Sequence, residues 1–121
     1  MSDDDFTFTV FRHGEKKLTH RELPSGKNPL SYAYHGLFSE KKASKLKPYI
    51  IEFQNDIREE VPLVSHEGEE FLFVLEGEVE FRSTQGNVTL QKGDSLHFDA
   101  RIAHGFVNSS RKIARAIGVI G

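Results

Sequence analysis

The sequence predicts an all-β fold, an antiparallel sandwich or barrel, and three observations predict it. Apolar residues alternate with polar ones in short runs, and no long helical period is present. Turn-forming groups separate the runs: Pro24-Ser25-Gly26, Gly77, Gln85-Gly86-Asn87, Lys92-Gly93-Asp94 and Asn108-Ser109-Ser110. The runs recur at about the eight-to-twelve-residue spacing of antiparallel β proteins.

Taken in order, a first candidate strand alternates Thr7, Thr9 and Phe11 with Phe6, Phe8 and Val10. The others are 31–38 (SYAYHGLF), 47–53 (KPYIIEF), 71–77 (FLFVLEG), 78–83 (EVEFRS), 87–91 (NVTLQ), 95–99 (SLHFD), 104–108 (HGFVN) and 112–120 (KIARAIGVI). Residues 39–47 (SEKKASKLK) read as a charged connecting loop, and Lys41, Lys42, Lys45 and Lys47 as a solvated basic cluster. Residues 1–29 are polar and less patterned, and are expected to form an arm or edge strands. His13 and His20 lie there and read as exposed. Residues 30–121 form the barrel domain.

A chain of 121 residues is enough for one domain with a real core. A net charge of −2 makes no general case for binding nucleic acid or a membrane surface. Cysteine is absent, which excludes disulfides, a cysteine nucleophile and cysteine-ligated zinc. The opening MSDDDF has neither the basic nor the apolar region of a secretory signal, and no run is long enough to span a bilayer as a helix. A cytoplasmic protein is the expectation.

The chemistry concentrates at SHEGEEFLFVLEGEVEF, residues 65–81. In a strand, Glu70 shares a face with Leu72 and Val74, while Phe71, Phe73 and Leu75 share the other. Both faces are apolar, so the strand is expected to be buried on both. A buried, charged, unpaired carboxylate would cost several kcal/mol, so Glu70 needs a metal, an arginine or a proton. His66 lies an even four residues earlier, on the same face if the strand extends that far. In 101–108, His104, Phe106 and Asn108 share a face. Two His and one carboxylate can hold a divalent first-row metal with positions left open. A lone strand histidine is otherwise most often a hydrogen-bonded core residue.

The two segments PLVSHEGEEFLFVLEGEVEF and QKGDSLHFDARIAHGFVN resemble the two sequence motifs of the cupin family. His66, Glu70 and Gly77 fall in register with the first, and Gly93, His104 and Asn108 with the second. Val64 stands where the first motif has another His, and Asp99 and Arg101 replace the second motif's Pro and Gly. The resemblance implies a double-stranded β-helix, or jelly-roll barrel, with one divalent ion (iron, manganese, nickel or zinc) held by His66, Glu70 and His104. A typical member uses three His and one Glu. Some iron-containing members are similar in using two His and one Glu.

The wording of 30–121 looks most like the sensor domains attached to helix-turn-helix regulators. About thirty residues precede it here, too few for that DNA-binding unit, so nucleic-acid binding is not expected of the chain itself. The family also implies a homodimer, to which the arm could lend a shared edge.

Other candidates are His97, an outward or supporting residue; Arg115 and Arg101, possible anion clamps; and Tyr34, with Tyr32 and His35, as wall residues. The leading reading is a sensor-like cupin binding a metal and a small, anionic molecule. A mononuclear metalloenzyme on the same site, an iron oxygenase or an isomerase or lyase, is the alternative. A third reading is structural: Glu70 paired with Arg115 and no metal.

Overall fold

In the computed structural model the described residues are 8–14, 17–19, 32–38, 44–53, 61–108, 110 and 112–121. They form nine strands, and no helix occurs among them: β1 (Lys17–Thr19), β2 (Tyr32–Gly36), β3 (Lys47–Phe53), β4 (Glu69–Glu76), β5 (Glu78–Ser83), β6 (Val88–Gln91), β7 (Ser95–Asp99), β8 (His104–Asn108) and β9 (Ala114–Ile120). A six-stranded sheet runs β1-β2-β3-β9-β4-β7 and a three-stranded sheet runs β6-β5-β8. All pairings are antiparallel. The two sheets close on each other as the jelly roll that the sequence predicts.

Alternation decides which side of each strand is buried. On β3, Ile51 and Phe53 are buried and Ile50 and Glu52 only partly so. On β9, Ala114, Ala116 and Gly118 are buried, and the residues between them less so. The inner faces meet in one core built from Tyr34, Ile51, Phe53, Leu72, Val74, Val79, Phe81, Leu90, Phe106, Ala114 and Ala116. Each large apolar side chain in it contributes about 1.5–3 kcal/mol by leaving water.

Cross-strand register arranges the inner residues of the large sheet in rows. Lys47, Ile120, Glu70 and Phe98 lie side by side across β3, β9, β4 and β7. The next row is Tyr49, Gly118, Leu72 and Leu96. Gly118 leaves room there for Ile51, whose Cδ1 an added Cβ would meet at 2.7 Å. The β4–β5 turn depends on Gly77, whose φ of 78° is left-handed and whose Cβ would press on Ala114. Asn108 closes the following turn, accepting from the Ser110 amide at 2.9 Å and donating to the Lys112 carbonyl at 2.6 Å.

Two expectations need correction. Residues 8–12 form no strand and lead into a turn at His13-Gly14; Phe8 and Val10 are exposed, so their alternation buries nothing (Phe6 and Thr7 lie outside the described residues). β1 is an edge strand within the polar arm and pairs with β2. β4 is buried on one face only: Leu72 and Val74 are buried, whereas Phe71 is 38% exposed on the other side. His20, Pro24-Ser25-Gly26, Lys41 and Lys42 lie outside the described residues, as does the side chain of Tyr32.

Candidate metal centre

Three separate pieces of backbone bring His66, Glu70 and His104 together. Segment 61–66 runs beside β8 through a bridge between Val64 and His104, with hydrogen bonds of 2.8 and 2.9 Å in the two directions. The His66 amide then donates to the Ala100 carbonyl at 3.0 Å. Glu70 projects inward from the start of β4, and His104 from the start of β8 on the facing sheet. Between His66 and Glu70 the chain turns at Gly68, with a φ of 98°. Its carbonyl accepts from the Ala100 amide at 2.9 Å. A Cβ at Gly68 would collide with the carbonyl oxygen of Gly121, whose own amide bonds the Glu69 carbonyl at 2.9 Å.

The ligand atoms of His66, Glu70 and His104 all lie within 4.8 Å of one another. Glu70 and His104 are buried and the His66 side chain is 24% exposed, so the set meets solvent on the His66 side. His104 Nδ1 lies 2.7 Å from the Ile102 carbonyl oxygen, and His66 Nδ1 lies 3.0 Å from that of Glu67. A carbonyl oxygen only accepts, so both Nδ1 atoms carry the proton. In the neutral rings each Nε2 therefore offers a lone pair. Both Nε2 atoms face Glu70 Oε1, His104 at 3.2 Å and His66 in closer contact. Two lone pairs and a carboxylate oxygen aimed at one another need a cation among them. A proton on an imidazole or a divalent ion would serve, and the residues present fit the ion.

Aromatic rings enclose the His104 side. The His104 ring packs edge-on against Phe98 at 4.8 Å and stands 5.3 Å from the His66 ring. Phe106, almost fully buried, and Phe81 continue the wall. Low polarity here strengthens electrostatic attraction between the ligands and a cation.

The other candidates are dispersed. Tyr34 is buried in the core with its ring edge-on to Tyr49 at 4.9 Å. His97 is exposed on the outer face, with Nε2 2.9 Å from Glu69 Oε1. Arg115 alternates with inward Ala114 and Ala116, so it lies on the outer face, opposite Glu52 on β3 and Glu76 on β4. That places it on the other side of the sheet from Glu70. Its Nε is shielded from solvent and has no hydrogen-bond partner. His35 lies on the same outer face, 3.4 Å from Glu52. Arg101 is exposed and forks onto Asp99 at 2.7–3.2 Å. Hydrogen bonds from the Arg101 side chain and backbone hold the Asp99 carboxyl down to about 2.

Sequence reasoning missed Phe98 as the neighbour of His104 and the two carbonyls that orient the imidazoles. Phe98 carries a signal once β7 is registered against β4, since it then falls opposite Glu70. The carbonyls carry none, because every residue has one.

The family model for the cupin domain matches residues 56–120, more than half of the chain. The chain belongs to the cupin family. No curated protein matches it. Among solved structures, iron(II) HppE is similar at 25% identity and a TM-score of 0.78, covering 98% of this chain and 63% of that one. Hydroxypropylphosphonic acid epoxidase from S. wedmorenis in complex with fosfomycin is 26% identical, with a TM-score of 0.75, covering 98% and 62%. Cobalt(II) HppE in complex with substrate is 29% identical over 74% of this chain and 52% of that one, with a TM-score of 0.63. The chain thus spans less than two thirds of the length of these neighbours. No helix among its described residues is long and apolar enough to cross a membrane.

Proposed function

We propose that the chain is a mononuclear metal-dependent enzyme in which His66, Glu70 and His104 hold iron(II) and the substrate is a small organic anion. One observation carries this: two imidazoles, each tied off at Nδ1, turn their Nε2 atoms onto a single buried carboxylate. Two His and one carboxylate suit non-haem iron(II) and leave coordination positions for substrate and dioxygen. Solved neighbours bound to iron(II), cobalt(II), substrate and fosfomycin support the same chemistry.

When bound, the ion supplies redox chemistry towards dioxygen and polarises a coordinated oxygen. The chain's residues orient and enclose. The carbonyls of Ile102 and Glu67 hold the two rings, and Phe98 and Phe106 exclude water behind His104. With two neutral imidazoles and one carboxylate, a divalent ion keeps a net charge of +1, which favours an anionic ligand.

A second reading is a sensor-like cupin that binds metal and ligand without turnover. It is favoured by the surroundings of the set: Leu72, Phe98, Ile120 and Phe106 include no further acid or base. Elemental analysis of untagged protein, beside an anaerobic iron(II)-reconstituted sample, separates the readings. About one iron per chain that reacts with dioxygen is the expected result. Stoichiometric zinc, nickel or manganese without oxygen reactivity would support the sensor. No metal under any condition would overturn both.

A further inference from the structure

We infer that Lys47 is the anchor for the charged end of the ligand, and that the ligand is a short organic anion bearing a metal-binding hydroxyl or oxo group. The inference rests on the metal reading above and adds a residue and a substrate class to it.

Position carries the argument. Lys47 opens β3 and pairs with Ile120, which pairs on its other side with Glu70. On β3 it alternates in phase with Tyr49, Ile51 and Phe53, all part of or packed on the core. Its side chain therefore belongs to the inner face, in the row of the buried carboxylate, yet Lys47 itself is exposed. It stands where the barrel interior meets solvent.

Distance limits the ligand. Two strand spacings put the Lys47 and Glu70 backbones about 10 Å apart. The four-carbon lysine stem spans roughly half of that. An anion of about three or four atoms in length fills the remainder. Deeper entry is closed, because Ile51 packs over Gly118 and Leu72 in the row beneath.

The arginines of the described strands and of the loop after β7 point or pair away from this mouth. Arg101 is forked onto Asp99, Arg82 Nε donates to Glu80 at 2.6 Å, and Arg115 lies on the outer face. Among the described residues Lys47 forms no ion pair. A lysine ammonium free to move at the mouth suits a carboxylate or phosphonate whose other end is held at the ion.

The test uses the full chain loaded with cobalt(II), whose visible spectrum reports ligand exchange. Two probes are titrated: 2-hydroxyethylphosphonate, long enough to reach Lys47, and azide, which meets only the ion. Lys47→Met should weaken phosphonate binding roughly tenfold or more and leave azide unchanged, while Lys47→Arg should stay within about threefold of wild type. Unchanged phosphonate affinity in Lys47→Met, equal weakening of azide, or no phosphonate response in the wild type would overturn the assignment and leave the metal reading standing. A wild-type chain that takes up no cobalt would overturn the metal reading, and the role of Lys47 with it.

Discussion

His104 donates a hydrogen bond from Nδ1–H to the carbonyl oxygen of Ile102 at 2.7 Å, and that bond decides what the ring offers on its other side. With Nδ1–H committed, the buried Nε2 presents a lone pair to Glu70. The protein has spent its backbone polarity to aim a base at a carboxylate, an arrangement that stabilises a bound cation and destabilises an empty neutral site.

Substituting the ligands tests this directly. His66→Ala, Glu70→Gln and His104→Ala should each lower metal affinity by at least about 100-fold, a larger loss than supporting groups alone produce. His104→Ala should also destabilise the fold more than His66→Ala, because the His104 side chain is 1% exposed and that of His66 24%. Metal content by elemental analysis and urea unfolding midpoints read the two effects separately.

Val64 tests how many positions are open. It sits directly opposite His104 in a doubly hydrogen-bonded bridge, so the two side chains share a face. Val64→His should add a fourth ligand, tighten metal binding by roughly tenfold or more, and weaken azide binding to the cobalt(II) form. Unaltered metal and azide affinities would show that position 64 does not reach the ion.

Gly68 tests whether the turn between the ligands is built tightly. Gly68→Ala meets both a left-handed φ of 98° and the Gly121 carbonyl. It should cost about 2–4 kcal/mol and reduce metal affinity, since Glu70 follows within two residues. Gly86→Ala is the control: its φ of 130° is also left-handed, but nothing lies within 4 Å of the added Cβ. It should cost about 1–2 kcal/mol and leave metal binding unchanged. Urea unfolding of the metal-free proteins and a metal titration check both.

Asp99 gives the pH prediction. Its folded-state carboxyl is lowered to about 2 from an ordinary 3.8, first by the Arg101 side-chain hydrogen bond. A depressed carboxylate stabilises above its ordinary value and loses that contribution as pH falls through the folded one. The stability gap between wild type and Asp99→Asn should be constant from pH 5 to 8, shrink below about pH 4 and vanish only below about pH 2. Because the pair is exposed, the gap should also narrow in high salt. Urea midpoints across that pH range measure it.

Much of the fold was legible in the sequence. The strands from β3 to β9 follow runs in which every second residue is apolar, and Gly77 and Gly93 mark turns with left-handed backbone. Edge strands were expected in the arm, but the particular run that forms β1 was not legible, because three residues are too few to show a period and their order comes from pairing with β2. β4 was read as buried on both faces because Phe71 and Phe73 are as apolar as Leu72 and Val74. Composition cannot say that one side of a sheet is left partly open.

By itself the sequence determined an all-β barrel, the motif residues His66, Glu70 and His104, and the absence of the imidazole that Val64 replaces. Tertiary structure alone decided how these groups are used. It turned the rings through carbonyls that no side-chain pattern reveals, and set Phe98 against His104. It carried Arg115 to the far side of the sheet, and drew Lys47 out of an apparent surface cluster into the row of Glu70. The physical reason is register: hydrogen bonds between strands fix which distant residues stand side by side, and a one-residue shift would send each to the opposite face.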